Sequence, residues 1–251
     1  GGTVHYWIAR NDNVSDCIVF THGVTADHTM FEKQIPYFSD NYTIILWDVP
    51  MHGLSRPYQQ FTYQDTAEIL HSILQKENIE KTKKVVELAA KYGATVEAEL
   101  GLVGGSEDGK SDHGIRCTDP DDAKVFVERT GIDALAVAIG NAHGNYPVAP
   151  KLAFDVLEQI HDKTGIPLVL HGGSGITDAD FRKAIELGIV KVNIATASFN
   201  RLTKHAEEYL KSKGVHNYFD LNVAMVQGTY ENVRHHIEVF NCEMPLDEVD
   251  A

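Results

Sequence analysis

Short apolar runs alternate with longer helix-period stretches along the whole of this 251-residue chain, and that rhythm leaves few architectures open. Residues 4–9 read as a first, edge strand, followed by the polar turn Asn11-Asp12-Asn13. Cys17-Ile18-Val19-Phe20 and Thr43-Ile44-Ile45-Leu46-Trp47 are unbroken apolar runs, the pattern of parallel strands covered on both faces. A helix capped by Asp65 follows, with Ala67, Leu70 and Leu74 on one side. A second helix runs from about residue 82 to 92, with Val85, Val86, Leu88 and Ala89 as its stripe. Residues 95–100, 134–139, 167–170 and 190–194 are further strand patterns, each leading into a helix or a glycine-rich loop. Strand and helix in steady alternation predict an α/β fold on a parallel sheet, either open or closed into a barrel. The stretch 111–117 is the most polar insert and reads as a surface loop.

Composition removes several classes of function. The 22 Lys and Arg residues against 36 Asp and Glu give a formal charge of −14, so the basic footprint of a nucleic-acid binder is absent. No apolar run approaches the roughly 20 residues of a membrane span, and the first residues lack the basic segment and apolar core of a signal peptide. Cys17, Cys117 and Cys242 are odd in number and widely spaced, which suits buried thiols in a reducing cytoplasm.

In parallel α/β folds chemistry gathers where strands end and helices begin. Four such ends stand out. One strand carries Val96-Glu97-Ala98-Glu99-Leu100 and runs into Gly104-Gly105-Ser106-Glu107-Asp108-Gly109. A second ends Ala142-His143-Gly144, a third Leu170-His171-Gly172-Gly173-Ser174-Gly175, and a fourth Val192-Asn193-Ile194-Ala195-Thr196. Two imidazoles on neighbouring strand ends can reach one zinc-type cation. The Gly-Gly-Ser-Gly loop, read as opening a helix, offers free N–H groups to a phosphate, and Asn193 and Thr196 could complete the pocket. Glu97 and Glu99 share a strand face, so one of them also reads as an interior ion-pair residue.

These motifs, together with Asn78-Ile79-Glu80-Lys81-Thr82-Lys83-Lys84-Val85-Val86 and a closing Val233-Arg234-His235-His236-Ile237, closely resemble class II, metal-dependent fructose- and tagatose-bisphosphate aldolases over about residues 78–243. The resemblance implies the last four strands of a TIM (β/α)₈ barrel and a zinc-assisted, reversible aldol cleavage of a ketose bisphosphate. It implies zinc ligands at His143 and His171, an alternative metal position at Glu99, and proton transfer at Glu107. It also implies a phosphate site built from Gly144, Gly172, Gly173, Ser174, Asn193, Ala195 and Thr196, with a monovalent cation beside it. A small-molecule sugar phosphate is then the partner, without nucleic acid or membrane, and a homo-oligomer is compatible with it.

Residues 1–80 resemble instead the start of an α/β-hydrolase, through Val19-Phe20-Thr21-His22-Gly23 and Trp47-Asp48-Val49-Pro50-Met51-His52-Gly53-Leu54-Ser55. The chain thus reads as a chimera, 1–80 hydrolase-like and 81–251 an aldolase-like half-barrel. The family's adjacent Asp-His pair, base and third zinc ligand, is expected to be missing from the whole chain, so an impaired activity is expected. His22 or His52 is then a substitute ligand and Asp48 a substitute base. An esterase is the alternative, opposed by the lack of a Gly-x-Ser-x-Gly nucleophile elbow. A non-catalytic scaffold is a third.

Overall fold

The run Thr43–Trp47 is the strand from which the first part of the chain is built. In the computed structural model, residues 2–241 are described except 12, 15, 24, 60, 106–115, 146–149 and 213. The chain divides into two compact units, Gly1–Asn78 and Ile79–Ala251. Among the described residues no helix is long and apolar enough to cross a membrane.

In the first unit, β1 (Tyr6–Ala9), β2 (Cys17–Thr21) and β3 (Thr43–Trp47) form a sheet in the order β1-β3-β2. The centre strand β3 is buried almost throughout. Ile45 and Trp47 pack with Ile73, and Trp47 Nε1 donates to Thr21 Oγ1 at 2.8 Å. β2 and β3 are parallel, but β1 runs antiparallel to β3, which corrects the expectation of a wholly parallel sheet. The link 10–16 between β1 and β2 is too short for a parallel crossover, so it reverses the chain. β1 is an edge strand as its turn suggested. β2 is the other edge and only partly buried, not covered on both faces. That position leaves Cys17 exposed, and Cys117 is exposed as well, against the expectation of buried thiols; Cys242 lies outside the described residues. A short helix, α1 (Ile35–Phe38), precedes β3.

The two helices expected around residues 65–92 are one, α2 (Tyr63–Ala90). Between the two apolar stripes lies Gln75-Lys76-Glu77-Asn78-Ile79-Glu80-Lys81, which holds no Gly or Pro to stop a helix. Thr62, not Asp65, caps it. Asp65 N donates to Thr62 Oγ1 at 3.1 Å and Thr62 N donates back to Asp65 Oδ2 at 2.6 Å, a reciprocal capping box.

The second unit carries four parallel strands in the order β4-β6-β8-β9: β4 (Glu97–Leu100), β6 (Ala134–Val137), β8 (Leu168–Leu170) and β9 (Ile189–Val192). Two short strands, β5 (Gly104–Gly105) and β7 (Ala142–His143), pair separately and in parallel. The helices are α3 (Pro120–Thr130), α4 (Phe154–Thr164), α5 (Asp178–Glu186), α6 (Thr196–Lys211) and α7 (Tyr218–Phe240). β6 and β8, being interior strands, are the continuous apolar runs. Leu135, Val137, Leu168 and Leu170 pack on Phe126 of α3, Leu157 and Ile160 of α4 and Phe181 of α5. The expected strands are all present with shifted bounds: β4 and β8 begin later than expected, β6 ends two residues sooner, and β9 runs from 189 to 192.

Candidate active site

β4 presents Glu97 and Glu99 on one face, since residues two apart on a strand point the same way. Both reach His171, at the end of β8. Glu99 Oε2 accepts from Nδ1 at 2.5 Å, and Glu97 Oε1 lies 3.1 Å from Nε2. Lys191 on β9 donates to the other oxygen of Glu97 at 2.8 Å. Glu97 is therefore the ion-pair residue of the two. Burial pushes its carboxyl up, but Lys191 and His171 together hold it below the usual range. The Glu99 hydrogen bond, opposed by burial and helped by Glu97, holds the His171 imidazole above its usual value.

His143, on β7, faces His171 with ring centres 6.3 Å apart and tilted by 45°. Zinc–nitrogen bonds of 2.0–2.1 Å place two rings on one tetrahedral ion with centres roughly 5 Å apart, so the pair stands about 1 Å wider than a loaded site. Two imidazoles and a carboxylate are a donor set that zinc takes, so the residue types fit that ion, but both His171 nitrogens face carboxylates here and one would have to turn from Glu97 to reach it. A ligating imidazole usually gives its second nitrogen to a carboxylate, the relation Glu99 already has with His171.

Buried polar side chains set the two histidine loops. Asn141 is fully buried; its Oδ1 accepts from Ile139 N at 2.7 Å and its Nδ2 donates to the His171 carbonyl at 2.8 Å. One amide thus ties the end of β6 to the end of β8, two residues before His143. Thr118 does the same for β4 and β6, donating to the Leu100 carbonyl at 2.5 Å and accepting from Ala138 N at 2.9 Å. Gly172 has φ +65°, and a Cβ there would run into the Ala142 carbonyl oxygen, so the two histidine loops approach closely only because position 172 is glycine.

The loop 172–175 does not itself open a helix, contrary to expectation: α5 begins later and is capped by Thr177, whose side chain accepts from Asp180 N. The helix end beside this loop is that of α6, where the N-cap, Ala195, has no side chain to offer. Ser174 Oγ accepts from Ala197 N at 2.9 Å, and Gly173 N donates to Asn193 O at 3.1 Å. Ser174, Gly172, Gly173 and Thr196 are buried, as is Gly144, whose neighbour Asn145 accepts from Asn200 of α6 at 2.7 Å. The phosphate candidates Gly144, Gly172 to Ser174, Asn193, Ala195 and Thr196 thus stand around one helix start. Glu107 lies outside the described residues.

Asp48 belongs to the first unit. It is fully buried, with Oδ1 accepting from His28 N at 2.8 Å and lying 3.0 Å from His28 Nδ1, and with Oδ2 accepting from Leu54 N at 2.8 Å. Burial raises its pKa, but the His28 and Leu54 donors more than offset this, so it lies below the ordinary aspartate value. His22 is likewise committed, accepting at Nε2 from Val49 N at 3.0 Å and donating from Nδ1 to Gly23 O at 2.9 Å. His52 Nδ1 donates to Pro50 O at 2.9 Å. These three side chains brace the turns after β2 and β3. The expectation that the chain has no Asp-His pair needs correcting, because adjacent pairs stand at Asp27-His28 and Asp112-His113. The second lies outside the described residues. The first groups with Asp48, with one ligand atom of each within 4.8 Å of the others, but Asp27 caps Thr29 and His28 bonds Asp48.

Residues 71–244 match the family described as fructose-bisphosphate aldolase class-II. The chain belongs to that family. It is 49% identical over 138 residues to a probable fructose-bisphosphate aldolase of Bacillus subtilis, covering 55% of this chain and 48% of that protein. A fructose-bisphosphate aldolase of Staphylococcus aureus is 53% identical over 121 residues, covering 48% of this chain and 42% of its own. Among solved structures, the YdjI aldolase from Escherichia coli K12 superposes with a TM-score of 0.56 at 40% identity, over 66% of this chain and 56% of that one. A putative fructose-1,6-biphosphate aldolase from Coccidioides immitis gives 0.59 at 32% identity, over 66% and 59%. The chain therefore spans about half the length of the curated aldolases it matches.

Proposed function

We propose that the chain carries the metal- and phosphate-binding half of a class II aldolase. The reaction is reversible cleavage of fructose or tagatose 1,6-bisphosphate to dihydroxyacetone phosphate and glyceraldehyde 3-phosphate. The observation that carries this reading is the pair of His-Gly strand ends, His143 facing His171, with Glu99 on the latter. On this reading the four parallel strands of the second unit are half of a (β/α)₈ barrel. Residues 1–80 are then an α/β-hydrolase-like segment joined to residues 81–251.

His143 and His171 would hold zinc, with Glu99 joining them at an alternative metal position only on leaving His171 Nδ1, and bound zinc would supply Lewis-acid polarisation of the ketose carbonyl. The chain's own groups do the rest. Asn141 and Thr118 fix the spacing of the strand ends on which the ligands sit. The phosphate is held at the start of α6, where the helix dipole favours an anion. Gly144, Gly172, Gly173, Asn193, Ala195 and Thr196 line that end. Ser174 Oγ, which accepts from Ala197 N, keeps its own hydroxyl hydrogen for a phosphate oxygen. A monovalent cation beside the phosphate would balance its second charge. Glu107 is the proton carrier by resemblance. The missing-pair premise for an impaired enzyme does not hold, since Asp27-His28 and Asp112-His113 are present. The Asp48 oxygens are occupied by N–H donors, which supports a bracing role rather than that of a base. The setting that suits this chemistry is the cytoplasm, with a small sugar phosphate as the partner.

The test is cleavage of both bisphosphates by purified protein with added zinc and then with chelator. Zinc-dependent cleavage should be lost in His143→Ala at unchanged far-UV circular dichroism. A well-folded, zinc-loaded wild type that cleaves neither sugar refutes the reading.

A further inference from the structure

Glu97 is shared between two basic side chains, and the row beside it explains how they meet. Glu99, Ala136, Val169 and Lys191 are register partners across β4, β6, β8 and β9. They share one face of the sheet with Glu97, which stands two residues from Glu99. The opposite face carries Leu135, Val137, Leu168 and Leu170, which pack on the helices. On the first face the two middle positions are the small residues Ala136 and Val169, and the long side chains of the outer strands meet over them. Lys191 Nζ donates to Glu97 Oε2 at 2.8 Å, and Glu97 Oε1 accepts from His171 Nε2 at 3.1 Å. Strands about 4.8 Å apart would put β4 and β9 roughly 14 Å apart in a flat sheet, so this meeting requires the sheet to curl toward the face that carries them.

The arrangement sets up a competition for one nitrogen. Glu99 holds His171 Nδ1, so a metal at His171 takes Nε2, the nitrogen that faces Glu97. Of the two bonds to the ring, the one to Glu97 is the longer, outside the range of about 2.7–2.9 Å for a tight charge-assisted contact, and it is the one to yield. Glu97 is only 28% exposed, so a carboxylate left there without a partner would be costly. Lys191 prevents that: it bonds the other oxygen, and its ammonium, on a flexible stem and 51% exposed, can follow the carboxylate as it turns.

We propose that Lys191 is a positioning residue for the metal site, keeping Glu97 as an exchangeable partner of His171 Nε2 and retaining that carboxylate when a metal takes the nitrogen. The proposal rests on the aldolase reading for the metal and for its ligands His143 and His171. Without Lys191, His171 is the charged partner left to Glu97 among the described residues, and the carboxylate clamps it. Without the Glu97 charge, Nε2 is released more readily. Both effects run against a plain field effect, in which losing a lysine favours a nearby cation and losing a carboxylate disfavours it.

Zinc affinity of the purified full chain, read by competition with a chromophoric chelator, tests this without reference to turnover. Lys191→Met should weaken zinc binding by about tenfold, the lower end of what losing an outer-shell partner costs. Lys191→Arg, which keeps the charge, should stay within about threefold of wild type. Glu97→Gln should bind zinc a few-fold more tightly, since a neutral amide bonds about half as strongly as a carboxylate. Adding Lys191→Met to Glu97→Gln should then change nothing beyond about twofold. Far-UV circular dichroism checks the fold of each variant, and if Lys191→Met does not fold, the sign of the Glu97→Gln change decides alone. Zinc binding that is lost in His143→Ala but unmoved or tightened by Lys191→Met overturns this proposal and leaves the metal site standing. Weaker binding in Glu97→Gln does the same. A well-folded wild type that binds no zinc overturns both.

Discussion

Replacing Asn141 by leucine removes one side chain and cuts two strand ends loose. The amide is fully buried, and leucine keeps its branch point and number of side-chain heavy atoms but adds methyl bulk, so the main loss is in hydrogen bonding and any overpacking adds to it. It strips the Ile139 N–H of its acceptor at 2.7 Å and the His171 carbonyl of its donor at 2.8 Å. A buried backbone group left unpaired costs about 1–3 kcal/mol, so two of them cost roughly 2–6 kcal/mol, partly offset by the leucine's own burial. We expect a net loss of about 2–4 kcal/mol, a large share of the 5–15 kcal/mol typical of a folded protein.

The readout is urea unfolding followed by far-UV circular dichroism, because Trp7 and Trp47 both lie in the first unit and their fluorescence would miss the damage. The second readout is zinc affinity by competition with a chromophoric chelator. Loosening the carbonyl of one ligand and the loop of the other should lower it by about 10- to 100-fold, the usual effect of losing an outer-shell support. Asn141→Asp separates the two bonds, since a carboxylate still accepts from Ile139 N but cannot donate to His171. It should keep part of the stability and lose the zinc affinity. An Asn141→Leu protein within about 0.5 kcal/mol of wild type that binds zinc equally well would refute the reasoning, since surface-like neutrality is incompatible with two buried orphaned groups.

Gly172→Ala forces a side chain into a positive-φ position and against the Ala142 carbonyl, so it should destabilise by about 1–3 kcal/mol and abolish the rise in Tm that inorganic phosphate gives the wild type. His236 in α7 donates from Nδ1 to Asn232 O at 2.7 Å and meets the Phe181 ring edge-on. Burial holds its pKa below the ordinary value, with neighbouring His235 adding to this and the Asn232 bond and Asp178 opposing it. The unfolded chain therefore takes the proton first. Stability carried by neutral His236 is complete above about pH 6.5 and declines as pH falls from there toward the depressed folded value. His236→Leu should flatten that limb of a urea-midpoint profile, and an unchanged profile would exclude His236 as its source.

The strands of the second unit were legible because β6 and β8 are interior to a parallel sheet. Burial on both faces writes itself as an unbroken apolar run. His143 and His171 were legible for a related reason, as polar residues followed by glycine at the ends of such runs. Local pattern failed wherever a neighbour from far along the chain decides. The direction of β1 follows from which strand it pairs with, and the exposure of Cys17 from β2 being an edge. The fusion of two helical stripes into α2 follows from a linker with nothing to break it. The acidic pair on β4 was visible as a pair, but only tertiary structure assigns Glu97 to Lys191 and Glu99 to the His171 ring, partners 94 and 72 residues away.

Asn141 is the clearest case. In sequence it is part of the stretch 138–144 that carries the family resemblance, with no periodicity to mark what it does, and its role exists only once β6 and β8 lie side by side. What the sequence determined by itself was composition at each strand end, because hydrophobic periodicity is a local property. What only the tertiary structure decided was which of those ends meet, because pairing is settled by long-range burial and by the need of every buried polar group for a partner.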